Sequence, residues 1–105
     1  MTRELYYVVN NRHKYTWIKA DSIEANGTSL QGYIRTTYNK LRTRFKESAY
    51  DVDKSRSQWT IKVDGNIIIT VYDFISFSEP DELYDWHVGG KDKSVVDIIK
   101  EIHNG

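Results

Sequence analysis

Residues 58–74 constrain the fold more than any other stretch of this chain. Gln58-Trp59-Thr60-Ile61-Lys62-Val63 alternates, with Trp59, Ile61 and Val63 on one side. That is the period-two pattern of a strand with one buried face. Asp64-Gly65 follows, a pair suited to the positive-φ positions of a two-residue hairpin turn. Asn66 to Phe74 then returns apolar on both sides, as a strand does in the middle of a sheet with both faces covered. Leu83 to Val88 supplies the third strand of a meander.

The rest of the chain can be assigned around this meander. Leu5-Tyr6-Tyr7-Val8-Val9 is β-branched and aromatic, Asn10 to Lys14 is a polar turn, and Tyr15 to Lys19 is the hairpin partner, with Tyr15 and Trp17 on one face. Asp21 to Gly27 is a connector ending in the turn pair Asn26-Gly27. Thr28 or Ser29 is suited to cap a helix, and Leu30, Ile34, Tyr38, Leu41 and Phe45 recur at spacings of four, four, three and four. This predicts a helix that frays near Ser48. Gly32 in its first turn would cost about 1 kcal/mol against Ala, which points to a close neighbour there.

Tyr50 to Ser57 reads as a charged loop, and Ser76 to Glu82 as an acidic loop holding the only proline, Pro80. Gly89-Gly90 ends the third strand and reads as a strand-to-helix turn needing positive φ. Asp92 or Ser94 caps a last helix, buried through Val95, Val96, Ile98, Ile99 and Ile102. Lys100 and His103 sit at its negative end. The expected fold is α+β: one domain spanning 1–105, with an antiparallel sheet of about five strands in the order β-β-α-β-β-β-α. Both helices pack on one face of that sheet.

Composition removes several classes. With 105 residues, 39% of them hydrophobic, and eight Tyr, three Trp and three Phe, the chain can fill one core and is not disordered. It has no cysteine, so disulfides and thiolate metal sites are excluded. No apolar run approaches the ~20 residues of a membrane span, and Met1-Thr2-Arg3-Glu4 does not open a signal peptide. A cytoplasmic protein is expected. Net charge is zero, yet residues 1–57 hold 11 Lys and Arg against 6 Asp and Glu, and residues 58–105 hold 4 against 9. The halves form either a basic and an acidic face or an interleaved, averaged field. The neutral total disfavours generic DNA binding.

Two blocks, Thr28-Ser29-Leu30-Gln31-Gly32-Tyr33-Ile34 and Trp86-His87-Val88-Gly89-Gly90, mix apolar anchors with glycine and hydrogen-bonding groups. With Ile69-Thr70-Val71-Tyr72-Asp73 they resemble a family of small bacteriophage proteins of no assigned activity. In that family a T-S-L-Q-G-Y-I opening leads into a helix. A Trp-containing strand, a D-G turn, an I-Y-D strand, a W-H-I-G-G block and a terminal helix follow. The resemblance runs from about Thr28 to Ile102. Val71 and Val88 each replace Ile, Lys46 to Ser57 is polar where the family has Gly and Pro, and the first 27 residues lie outside it. It implies a phage origin, the cytoplasm of an infected host, and a β-rich α+β domain; it carries over no catalytic residue.

The chemistry-bearing side chains are few. His87 stands near Asp85, and strand alternation puts both on one face with Trp86 on the other. A histidine oriented by a carboxylate can act as a general base, but no nucleophile accompanies the pair, and a structural or binding role competes. His13 and His103 read as surface groups. Asp81, Glu82, Asp85 and His87 could gather a divalent cation or form a solvated acidic loop. Gly89-Gly90-Lys91 before a helix N-terminus could hold a phosphate. Arg35, Lys40, Arg42, Arg44 and Lys46 flank the apolar stripe of the first helix, either snorkelling at the core boundary or facing an anionic partner.

The candidate binding surface is Thr28, Ser29, Gln31, Tyr33, Arg35, Tyr72, Trp86, His87, Gly89, Gly90 and Lys91. No catalytic residue, metal ligand or cofactor is assigned. The expectation is a non-enzymatic phage protein inhibiting a host factor such as a defence component, by binding a protein or by sequestering a nucleotide signal between two helix N-termini. The alternative is a nucleic-acid-binding accessory protein using the basic helix and exposed aromatics. A homodimer is compatible with the aromatic surplus, and no membrane association is expected.

Overall fold

The computed structural model describes residues 5–10, 13–20, 25, 27–46, 49–51, 56–73 and 83–104. Strands β1 (Leu5–Asn10), β2 (His13–Lys19) and β3 (Ser29–Thr36) precede helix α1 (Tyr38–Phe45). Strands β4 (Ala49–Asp51), β5 (Arg56–Val63), β6 (Ile67–Tyr72) and β7 (Tyr84–Gly90) follow, then helix α2 (Ser94–Asn104). Every pairing is antiparallel. The strands lie in the order β1-β2-β5-β6-β7-β3, and β4 pairs with β5. The fold is α+β as expected, with the predicted elements in the predicted order and β3 and β4 added.

The addition of β3 corrects the reading of one helix running from Thr28 or Ser29 to near Ser48. Only Tyr38 to Phe45 is helical; Thr37 caps it, its Oγ1 accepting from the Lys40 N–H at 3.1 Å. Neither Thr28 nor Ser29 is a helix cap. Leu30, Ile34 and Tyr38 are four apart, a spacing that satisfies a helical face and also a strand's period of two. The β-branched run Ile34, Thr36 and Thr37 disfavours helix. Ile34 is buried against the sheet's inner face, and Leu30 is 44% exposed. Ala49 to Asp51, expected in a fraying helix end and a loop, is the short strand β4.

The β5-β6-β7 meander is as predicted, with β6 inside the sheet. Asp64 (φ 50) and Gly65 (φ 84) turn the hairpin through positive φ. The turn is also fastened to β2: Asp64 Oδ1 accepts from the Thr16 N–H at 3.0 Å, and the Asp64 N–H donates to the Thr16 carbonyl at 2.7 Å.

Both helices lie on one face. Phe45 meets Trp17 at 5.2 Å between ring centroids, and Tyr38 meets Trp59 at 5.6 Å and Trp86 at 6.4 Å. Val96 and Val95 of α2 press on Gly32 and Gly90. All three tryptophans are core residues, beside Leu41, Ile61, Val63, Ile69, Val71, Ile99 and Ile102. The Trp59 indole N–H donates to the Lys46 carbonyl at 2.9 Å, which satisfies a buried donor that would otherwise cost ~1–3 kcal/mol. Lys46, at φ 70 and ψ −149, ends α1 with its N–H on the Arg42 carbonyl.

Candidate functional site

The two blocks singled out in the sequence are neighbouring strands. β3 and β7 pair through Ser29–Gly90, Leu30–Gly89, Gly32–Val88, Tyr33–His87, Ile34–Trp86, Arg35–Asp85 and Thr36–Tyr84, with a bulge at Gln31. The bulge frees the Gln31 amide to fold back: its Nε2 donates to the Gly90 carbonyl at 3.0 Å and to Ser29 Oγ at 3.2 Å. Thr28 Oγ1 donates to the Ala25 carbonyl at 2.6 Å. Ser29, Gln31 and Gly90 thus form one hydrogen-bonded corner at the start of β3, with Thr28 tied instead to Ala25 beside it and Lys91 exposed just beyond.

A second group crosses the face opposite the helices. Register places Gln58, Tyr72, His87 and Tyr33 side by side on β5, β6, β7 and β3. The Tyr72 and His87 rings stack at 5.2 Å and 21°, and Tyr33 meets the other side of His87 edge-on at 5.1 Å and 61°. Tyr33 is 49% exposed; Tyr72, His87 and Gln58 are half-buried. Gln58 Nε2 donates to Thr60 Oγ1 at 3.2 Å. The next row is Thr60, Thr70, Gly89 and Leu30. A Cβ at Gly89 would collide with Thr70 Oγ1, so this glycine gives room to the threonine beside the tyrosine row.

Several expectations are corrected. Trp86 is 0% exposed and lies on the helix-covered face among Tyr38, Trp59 and Tyr84; no partner reaches it without unfolding. Gly89 and Gly90 have no positive φ, since Gly27 and Gly65 alone do among the described glycines. They are small because of contact: a Cβ at Gly90 would lie 2.7 Å from both Val95 methyls. Asp85 does not orient His87; it faces Arg35, with Arg35 Nη1 3.7 Å from Asp85 Oδ1. The paired side chains are 67% and 58% exposed, so the pair is worth only ~0–1 kcal/mol. Two helix N-termini do not meet at the blocks: α2 begins beside Gly90, whereas α1 begins at the far end of β3.

His103 is a half-buried residue and not a surface group. Its Nε2 shares a hydrogen bond with Thr36 Oγ1 at 3.0 Å, and its Nδ1 one with Asn104 Oδ1 at 3.2 Å. Burial, with smaller contributions from Arg44 and Lys40, holds its pKa below the ordinary imidazole value. The His13 side chain, Asp81 and Glu82 lie outside the described residues. Among the described residues no three His, Asp or Glu gather as for a metal ion, and no helix is long and apolar enough to cross a membrane.

A groove follows the outer side of β3. Arg35, Thr36, Lys40, Lys100 and His103 line it, together with Asp85. Arg35 and Lys40, expected on one helix, and Lys100, expected on another, carry no sign of this groove in the sequence. It forms only because Arg35 belongs to a strand and α2 lies beneath that strand. No family model, curated protein or solved structure matches the chain.

Proposed function

We propose that this chain is a non-enzymatic binding protein of bacteriophage type, which occupies a surface of a host factor, such as a defence component, and blocks it. The observation that carries the reading is the row Tyr33–His87–Tyr72 on the face away from the helices, with Tyr33 half exposed. Such rings offer large contact area with little side-chain entropy to lose, and are enriched where proteins meet. The polar corner at Gln31 and the Arg35–Asp85 pair form a rim on either side of Tyr33. The resemblance of the two blocks to small phage proteins supports the viral setting. Sequestering of a nucleotide signal keeps less support, because only α2 begins near Gly90.

The test is retention of host proteins on the immobilised chain at low and moderate salt, compared with Tyr33→Ala. The expected result is a host protein that wild type retains at both salts and Tyr33→Ala does not. Binding of single-stranded DNA or RNA that collapses at moderate salt, with no Tyr33-dependent protein, would favour the nucleic-acid alternative. Turnover of any substrate by the purified chain would defeat the reading.

A further inference from the structure

We propose that the outer edge of β3 is a docking site for an acidic peptide segment in extended conformation, which joins the sheet as a further strand beside residues 32–36. This inference rests on the reading of the chain as a binding protein and gives the partner's chemistry. β3 ends the strand order, so its outer N–H and C=O groups have no partner strand among the described residues. Extended peptides use such edges, main-chain hydrogen bonds giving affinity and neighbouring side chains giving selectivity.

The neighbours here are basic. α2 runs beneath β3 in the same direction. Val96 touches Gly32 at one end and His103 bonds Thr36 at the other. Those spans are roughly 10 Å along a helix and roughly 13 Å along a strand, so helix and strand stay side by side. Lys100 therefore flanks the middle of the edge, and Lys40 of α1 closes its far end. Arg35, Lys40 and Lys100 are exposed. Among the described residues the carboxylate lining the groove is Asp85, which already faces Arg35; Asp97 lies about one turn back along α2, toward the Gly32 end.

The same cations argue against a second copy of this chain as the occupant. Edge-to-edge pairing would bring Arg35, Lys40 and Lys100 of each copy together, and charged edges are a common guard against such pairing. The bulge at Gln31, with its amide turned back to Gly90, interrupts the ladder. The added strand is thereby confined to the regular stretch 32–36.

Fluorescence polarisation with a labelled nine-residue peptide alternating glutamate and valine tests the proposal. The controls are a lysine–valine peptide, two versions of the acidic peptide N-methylated at one or the other set of alternate amides, and a single-stranded oligonucleotide. The acidic peptide is expected to bind and the lysine version not to bind. One methylation set should weaken binding at least ten-fold and the other much less, because only alternate amides of an added strand face the edge. Arg35→Glu with Lys100→Glu should weaken it at least ten-fold while leaving the thermal midpoint in place.

Equal binding of both methylated peptides would overturn strand addition, and equal competition by the oligonucleotide would overturn a peptide partner. No binding of the acidic peptide would overturn the inference outright. A Tyr33-dependent host protein captured despite that result would leave the binding-protein reading standing.

Discussion

Gly90→Ala separates contact from backbone conformation as the reason for a glycine beside α2. Gly90 lacks positive φ, so alanine fits its backbone without strain. The added methyl would lie 2.7 Å from Val95 Cγ1 and Cγ2 and 3.1 Å from Val95 Cβ, against a comfortable carbon–carbon separation of about 3.5–4.0 Å. Val95 is 3% exposed and belongs to the core, so it cannot swing into solvent. Overpacking of this kind costs roughly 1–3 kcal/mol, a large share of a total stability of about 5–15 kcal/mol. It should lower the thermal midpoint by roughly 4–8 °C per kcal/mol.

Val95→Ala removes the two methyls that collide and should cost roughly 2 kcal/mol from lost transfer energy plus cavity. In the double variant the two contacts at 2.7 Å are gone, the one at 3.1 Å to the residue-95 Cβ needs a shift of only a few tenths of an ångström, and the new methyl fills part of that cavity. The two costs should therefore fall short of their sum by at least about 1 kcal/mol. Urea unfolding followed by tryptophan fluorescence and far-ultraviolet circular dichroism measures all four proteins, with a common slope required for the comparison. Additivity to within about 0.5 kcal/mol would refute the steric argument.

Three further outcomes can be checked. Lys46→Gly should stabilise the fold by roughly 0.5–1 kcal/mol in urea melts, because Lys46 sits at φ 70 and ψ −149, a region that glycine enters without strain. The Tyr15 phenol, which donates to Glu101 and is buried, has its pKa pushed up to about 12 by that hydrogen bond first and by burial second. The folded state thus holds this proton longer, so stability should fall as pH rises from about 10 toward 12, and Glu101→Gln should bring the late phase of an ultraviolet tyrosine titration down. His103 behaves in the opposite sense: burial lowers its pKa, so the unfolded chain takes the proton first. Stability should decline as pH falls below about 6.5, the imidazole resonances should titrate below that value, and His103→Gln should flatten the profile.

The limits of sequence reading are clearest around β3. Ile34 and Tyr38 are four residues apart, and a four-residue step is a turn of helix and also two strand repeats. Nothing local chose between them strongly enough to reveal the strand. His87 shows the same limit for the site: alternation puts it on the face opposite Trp86, but its contacts with Tyr33 and Tyr72 follow from a register three strands wide. The tertiary packing likewise explains Gly89 and Gly90, which no backbone angle demanded.

Alternation, turn residues and apolar periodicity are properties of neighbouring residues, so the chain alone determined the β5-β6-β7 meander, its Asp64-Gly65 turn, the last helix and the burial of Trp59, Ile61 and Val63; that Tyr15 and Trp17 are buried as well, and do not face solvent as aromatic platforms, emerged only from the fold. The placement of β3 at the sheet's rim, the row of rings across it and the basic groove along its outer side join residues tens of positions apart. They were decided by which strands found each other and by which face the helices covered, interactions that exist only once the chain has folded.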